Sequence, residues 1–92
     1  MTASFGMDST IISGRVVARD GRPIAGAHVM FAYGPVALPD IAQLTDANGE
    51  FALTAPADGS YRIIIKAPGF DSVERDVDVR FQAPTSIEIF VR

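Results

Sequence analysis

Apolar and polar residues alternate with period two along most of this chain, and the alternation predicts strands nearly from end to end. From Thr10 to Arg19, Ile12, Gly14, Val16 and Ala18 fall on one face, and Ile11, Ser13, Arg15, Val17 and Arg19 on the other. That is the pattern of a half-buried strand. Residues 26–33 predict a second strand with Ala27, Val29, Phe31 and Tyr33 inward and His28, Met30 and Ala32 outward. Residues 41–46 and 50–55 predict two short strands, with Phe51 and Leu53 inward. Tyr61, Ile63, Ile65 and Ala67 alternate with Ser60, Arg62, Ile64 and Lys66 in a central strand. Val73, Val77, Val79 and Phe81 alternate with Glu74, Asp76, Asp78 and Arg80, and a charged face of this kind suits a sheet edge. Ile87, Ile89 and Val91 against Glu88, Phe90 and Arg92 complete the series.

Turn chemistry separates these strands. Asp20-Gly21-Arg22-Pro23, Gly34-Pro35, Pro56-Ala57-Asp58-Gly59 and Pro68-Gly69-Phe70 each stop one run, and Phe70 is placed to plug one end of the core. The clearest turn is Thr45-Asp46-Ala47-Asn48-Gly49-Glu50-Phe51. Asp46 can accept hydrogen bonds from the backbone two residues on, while Asn48 and Gly49 tolerate positive φ. Asp46, Asn48 and Gly49 are therefore structural turn residues. Residues 35–40 form an apolar, proline-stiffened loop that should lie on the domain surface. Seven short strands at this spacing, with no sustained helical period, predict an all-β antiparallel sandwich over residues 10–92, preceded by a tail of residues 1–9.

Composition narrows the functional classes. The chain has 92 residues, 48% of them hydrophobic and 21% charged, which suits one folded domain with a thin core. Net charge is −3 and the eight basic residues are scattered, so nucleic acid is not an expected partner. Without cysteine there is no disulfide and no thiolate metal site, and no apolar run approaches a membrane span. The start lacks a secretory signal, which leads to the expectation of a cytoplasmic chain, or of a domain excised from a secreted parent.

Several groups could carry chemistry, and each reads more simply as structure. His28 is the sole histidine and stands on an outward face, and as a catalytic base it would need a nucleophile and an orienting acid beside it. Asp46, Asn48 and Glu50 give half a calcium loop, but Pro56 and Ala57 stand where its closing bidentate acid belongs. Asp76 and Asp78 share a face with Glu74 and Arg80, as expected of a solvated edge. Neither a metal nor a cofactor is expected.

The residues Ile12-Ser13-Gly14-Arg15-Val16, Gly21-Arg22-Pro23-Ile24-Ala25-Gly26-Ala27-His28-Val29, Thr45 to Phe51, Gly59-Ser60-Tyr61-Arg62-Ile63 and Ala67-Pro68-Gly69-Phe70 together resemble the carboxypeptidase regulatory-like domain. That resemblance implies a transthyretin-like Greek-key sandwich, with strands one, four and seven in one sheet and strands two, three, five and six in the other. It implies an appended module that assists folding, spacing or partner binding, and it carries over no catalytic residue. Enzymes of the wider fold that hydrolyse 5-hydroxyisourate use several histidines and a Tyr-Arg-Gly-Ser ending; this chain has one histidine and ends Ile89-Phe90-Val91-Arg92. An adhesin-type Lys–Asn bond fails because Lys66 is the only lysine and the last strand has no asparagine. Transthyretin has a further strand after the one corresponding to the last strand here, so an open edge is expected at that strand, suited to pairing with a partner strand.

The expected function is therefore a non-catalytic structural or protein-interaction module that presents a sheet face or edge strand to a protein partner or to a second copy. The expected contact surface is Ile11, Val17, Ala52 and Phe90, outward apolar groups of the sheet built by strands one, four and seven. The alternative is a carbohydrate- or small-ligand-binding accessory domain. Against it, the chain lacks tryptophan and both tyrosines phase inward.

Overall fold

The computed structural model describes residues 10–38, 42–80, 83 and 85–92. The tail of residues 1–9 and the inward phase of Phe81 lie outside the described residues. Seven strands follow in order: β1 (Thr10–Ala18), β2 (His28–Tyr33), β3 (Gln43–Leu44), β4 (Glu50–Ala55), β5 (Gly59–Lys66), β6 (Val73–Val79) and β7 (Thr85–Val91). They form a three-stranded sheet of order β4-β1-β7 and a four-stranded sheet of order β3-β2-β5-β6, the partition that the resemblance implies. The ladders are antiparallel except that between β1 and β7, which is parallel.

The alternation places the core between the sheets. Ile12, Val16, Ala27, Val29, Ile63, Ile65, Ile89 and Val91 are buried, with Phe51 and Leu53 beside them and Phe70 packed against the cluster. Tyr61 is buried with its hydroxyl satisfied: it donates to the Ala57 carbonyl at 2.6 Å and accepts from the Ala57 N–H at 3.1 Å. Phe31 packs on Tyr61 with ring centroids 5.1 Å apart. Gly14 leaves the space that the Phe51 ring fills, since a Cβ there would overlap the ring.

Two side chains depart from the simple alternation. Tyr33, expected inside, is 54% exposed. The register of β2 against β5 slips between Phe31 and Tyr33, so that Phe31 opposes Ile63 and Tyr33 opposes Arg62. This β-bulge turns Tyr33 onto the outer face. Val17, expected outside, is buried at 2% exposure. The chain after the Asp20-Gly21 turn returns along the end of β1, bringing Pro23 opposite Val17, while Phe90 of β7 opposes Val17 on the other side. Residues paired in register share a face, so two apolar neighbours cover Val17.

The segment from Thr45 to Gly49 is where the chain crosses from the sheet of β3 to the sheet of β4. Thr45 is buried, and its hydroxyl donates to the Ile24 carbonyl at 2.6 Å and accepts from the Ala27 N–H at 2.9 Å. Its backbone bonds Gly26 and Ala27, each at 3.0 Å. Asp46 Oδ1 accepts from the Asn48 and Glu50 N–H groups, both at 2.9 Å, and the Gly49 carbonyl accepts from the Val16 N–H at 2.7 Å. The turn expected from sequence thus joins β1, the segment before β2 and both flanking strands.

Candidate interaction surfaces

The outer face of the β4-β1-β7 sheet does not gather its apolar groups into one patch. Ile11 is 45% exposed and lies opposite Thr54, near the start of β1, whereas Phe90 is 52% exposed and lies opposite Val17, near its end. Six residue steps along β1 separate the two rows by roughly 20 Å. Ala52 is exposed opposite Ser13, in the polar middle. That middle is an open groove of about 510 Å³ whose polar lining includes Ser13, Arg15, Glu50, Ser86 and Glu88. Arg15 stands in register between Glu50 and Glu88, and its Nε donates to the Asn48 carbonyl at 3.1 Å. Of the four expected contact residues, Phe90 alone is both exposed and part of an apolar row, Pro23–Val17–Phe90, and it sits at the sheet edge.

The outer face of the β3-β2-β5-β6 sheet carries more than sequence phasing assigns to it. The guanidinium of Arg62 lies 5.4 Å from the centroid of the Tyr33 ring. Arg62 Nε bonds Asp76 at 2.8 Å, and its other end approaches Glu74 at 3.6 Å. Met30 and Ile64, paired in register, are half-buried beside this group, and Leu44 is exposed opposite His28. Phasing misses Tyr33 because a bulge is a backbone event without its own residue signature here. The Arg62–Asp76 partnership could have been read, since both phase outward on strands expected to be consecutive.

Three of the carboxylates considered for catalysis or metal binding are already engaged. Asp46 caps its own turn, Asp76 pairs with Arg62, and Asp78 accepts from the Ser60 hydroxyl at 2.7 Å. His28 is exposed, between Leu44 and Lys66 in register. Among the described residues no group of three acid, histidine or cysteine side chains could hold a metal ion, and no helix is long and apolar enough to cross a membrane.

The hydrogen bond from Arg62 holds the Asp76 carboxyl below its ordinary range, against a smaller opposing effect of desolvation. The folded carboxyl is thus more acidic than the unfolded one. Its contribution to stability is present above the ordinary carboxylate range and is lost as pH falls through the folded value. Both partners are solvent-accessible, so the contribution is small. Asp76→Asn should lower the denaturation midpoint slightly at neutral pH, and the gap to the parent chain should close in acid. A gap that widens on acidification contradicts the assignment.

The chain matches the carboxypeptidase regulatory-like domain over residues 11–92. No curated protein matches it in sequence. Among solved structures, the major pilin subunit of Bacillus cereus superposes with TM-scores of 0.74 and 0.71 in two crystal structures, at 15% identity. The match covers 90% of this chain but only 28% of the pilin subunit. A type II cohesin–X–dockerin complex from Acetivibrio cellulolyticus matches at TM-score 0.67 and 21% identity, over 89% of this chain and 56% of that one. The dioxygenase domain of a dioxygenase carbohydrate-binding protein fusion from Streptomyces sp. SirexAA-E matches at TM-score 0.62 and 19% identity, over 98% of this chain and 83% of that one. At these identities the likeness is one of fold, a prealbumin-type β-sandwich.

Proposed function

Because the chain belongs to the carboxypeptidase regulatory-like domain family, we propose that it is a non-catalytic structural or protein-interaction module that presents an edge of its three-stranded sheet to another protein or to a second copy. The observation that carries this reading is Phe90, 52% exposed at the sheet edge, where it ends an apolar row whose inner member Val17 is already covered. A large aromatic at an edge offers both apolar area and access to strand pairing. The structures that share the fold include a pilin subunit and a cohesin–X–dockerin complex, which agrees with a module of this kind. Exposed Tyr33 beside Arg62, Glu74 and Asp76 favours a second reading, a sugar- or small-ligand-binding face, since an aromatic platform with polar neighbours is what such ligands need.

Sedimentation velocity from micromolar to millimolar concentration tests the first reading. The parent chain should associate as concentration rises, and Phe90→Ala should weaken that association without lowering the melting temperature. Equal masses for both proteins at every concentration contradict it. For the second reading, a glycan screen should give a hit that Tyr33→Ala abolishes, and a blank screen for the parent chain removes it.

A further inference from the structure

In a strand the N–H and C=O of one residue point to the same side, and successive residues alternate sides. In β1, Val16 gives its N–H to Gly49 and its carbonyl to Ile24, so the even-numbered residues of β1 face β4 and the odd-numbered ones face β7. Val17 is in parallel register with Phe90, so β1 takes its bonds from Ile89 and Val91, and the even residues of β7 point away from the sheet. The outer edge of β7 is therefore built from the backbone groups of Ser86, Glu88, Phe90 and Arg92.

Two of those carbonyls are already held. Asp71 N–H donates to the Arg92 carbonyl at 2.8 Å, and Arg75 Nη2 donates to the Glu88 carbonyl at 3.3 Å. Arg75 sits on β6 at an inward phase, between Val73 and Val77, and it is only half-buried. It reaches across the open side of the sandwich from the edge of one sheet to the edge of the other. The edge expected to be open is thus closed at Glu88 and Arg92, with Phe90 between them.

We propose that this edge pairs antiparallel with β7 of a second copy, in a register centred on Phe90, and that Arg75 and Asp71 hold it back. This rests on the interaction-module reading above and names its partner. In that register Phe90 faces its own symmetry mate, and the apolar row Pro23–Val17–Phe90 continues into the same row of the second copy. Glu88 then faces Arg92 of the second copy at both ends, so opposite charges meet. A register centred on Glu88 would set two carboxylates face to face and is disfavoured. The pairing takes up the Glu88 and Arg92 carbonyls, so it requires release of the bonds from Arg75 and Asp71. Other edges suit a strand less well. In β3 the edge is two residues long, and β6 carries Glu74, Asp76 and Asp78.

Sedimentation equilibrium of the full chain and three variants tests this. Arg75→Met keeps the apolar stem and removes the guanidinium, and circular dichroism confirms that each variant is folded. Releasing one hydrogen bond in each of two copies should tighten dimerisation roughly tenfold to a hundredfold. Adding Glu88→Arg to Arg75→Met should loosen the dimer at least about tenfold, and adding Arg92→Glu as well should recover most of the loss. Folded Arg75→Met that sediments like the parent chain, or a charge reversal that Arg92→Glu does not rescue, overturns the proposal. Phe90-dependent association that ignores both changes overturns this register and keeps the interaction-module reading. The absence of association in every variant overturns both.

Discussion

The sandwich depends on how Thr45 and Gly49 tie the crossing between its two sheets. A buried threonine hydroxyl that bonds the Ile24 carbonyl and the Ala27 N–H is satisfied in both its roles. Leaving such partners unpaired would cost on the order of 1–3 kcal/mol per group, a sizeable part of a small domain's stability. Four residues later the Gly49 carbonyl takes the Val16 N–H, and the Val16 carbonyl takes the Ile24 N–H. Three chain segments distant in sequence are fixed by one corner. Gly49 adopts φ +76°, and any Cβ there would sit on the Val16 carbonyl oxygen, so both conformation and space demand glycine.

The surfaces follow from that corner. It fixes the direction in which β1 points its backbone groups and, through the parallel ladder, which groups of β7 look outward. It also holds the return of the chain past Pro23, which covers Val17 and leaves Phe90 as the exposed end of an apolar row. Arg15 is drawn to the Asn48 carbonyl of the same turn, so the centre of that sheet face becomes a polar groove rather than an apolar patch. The fold therefore leaves Ile11 and Phe90 exposed at opposite ends of the face and keeps its middle polar.

Much of this is legible in the sequence. Period-two alternation yields the seven strands, the inward set around Ile12, Ile63 and Ile89, and the turn at Asp46, because each rests on local chemistry and one apolar face. The candidate site is less legible. Val17 escapes the pattern because its cover comes from Pro23, a non-local neighbour, and Tyr33 because a bulge shifts the phase of a strand without changing its composition. The parallel sense of β1 against β7 is a matter of topology and not of pattern. Arg75 does leave a trace, as an arginine among the inward valines of an edge strand, which is one way in which proteins blunt edges. Its target, the Glu88 carbonyl, can be seen only once the two edges are set side by side.

The corner at Gly49 governs stability through contact and not merely through an unusual backbone angle. Gly21 supplies the comparison: it has φ +92°, but a Cβ added there would meet nothing within 4 Å. Urea denaturation of Gly49→Ala and Gly21→Ala therefore separates the two effects. Gly21→Ala should cost about 1–2 kcal/mol from the backbone angle alone. Gly49→Ala should cost at least about 2 kcal/mol more, the scale of two or three broken hydrogen bonds. Equal costs for the two substitutions would contradict the account.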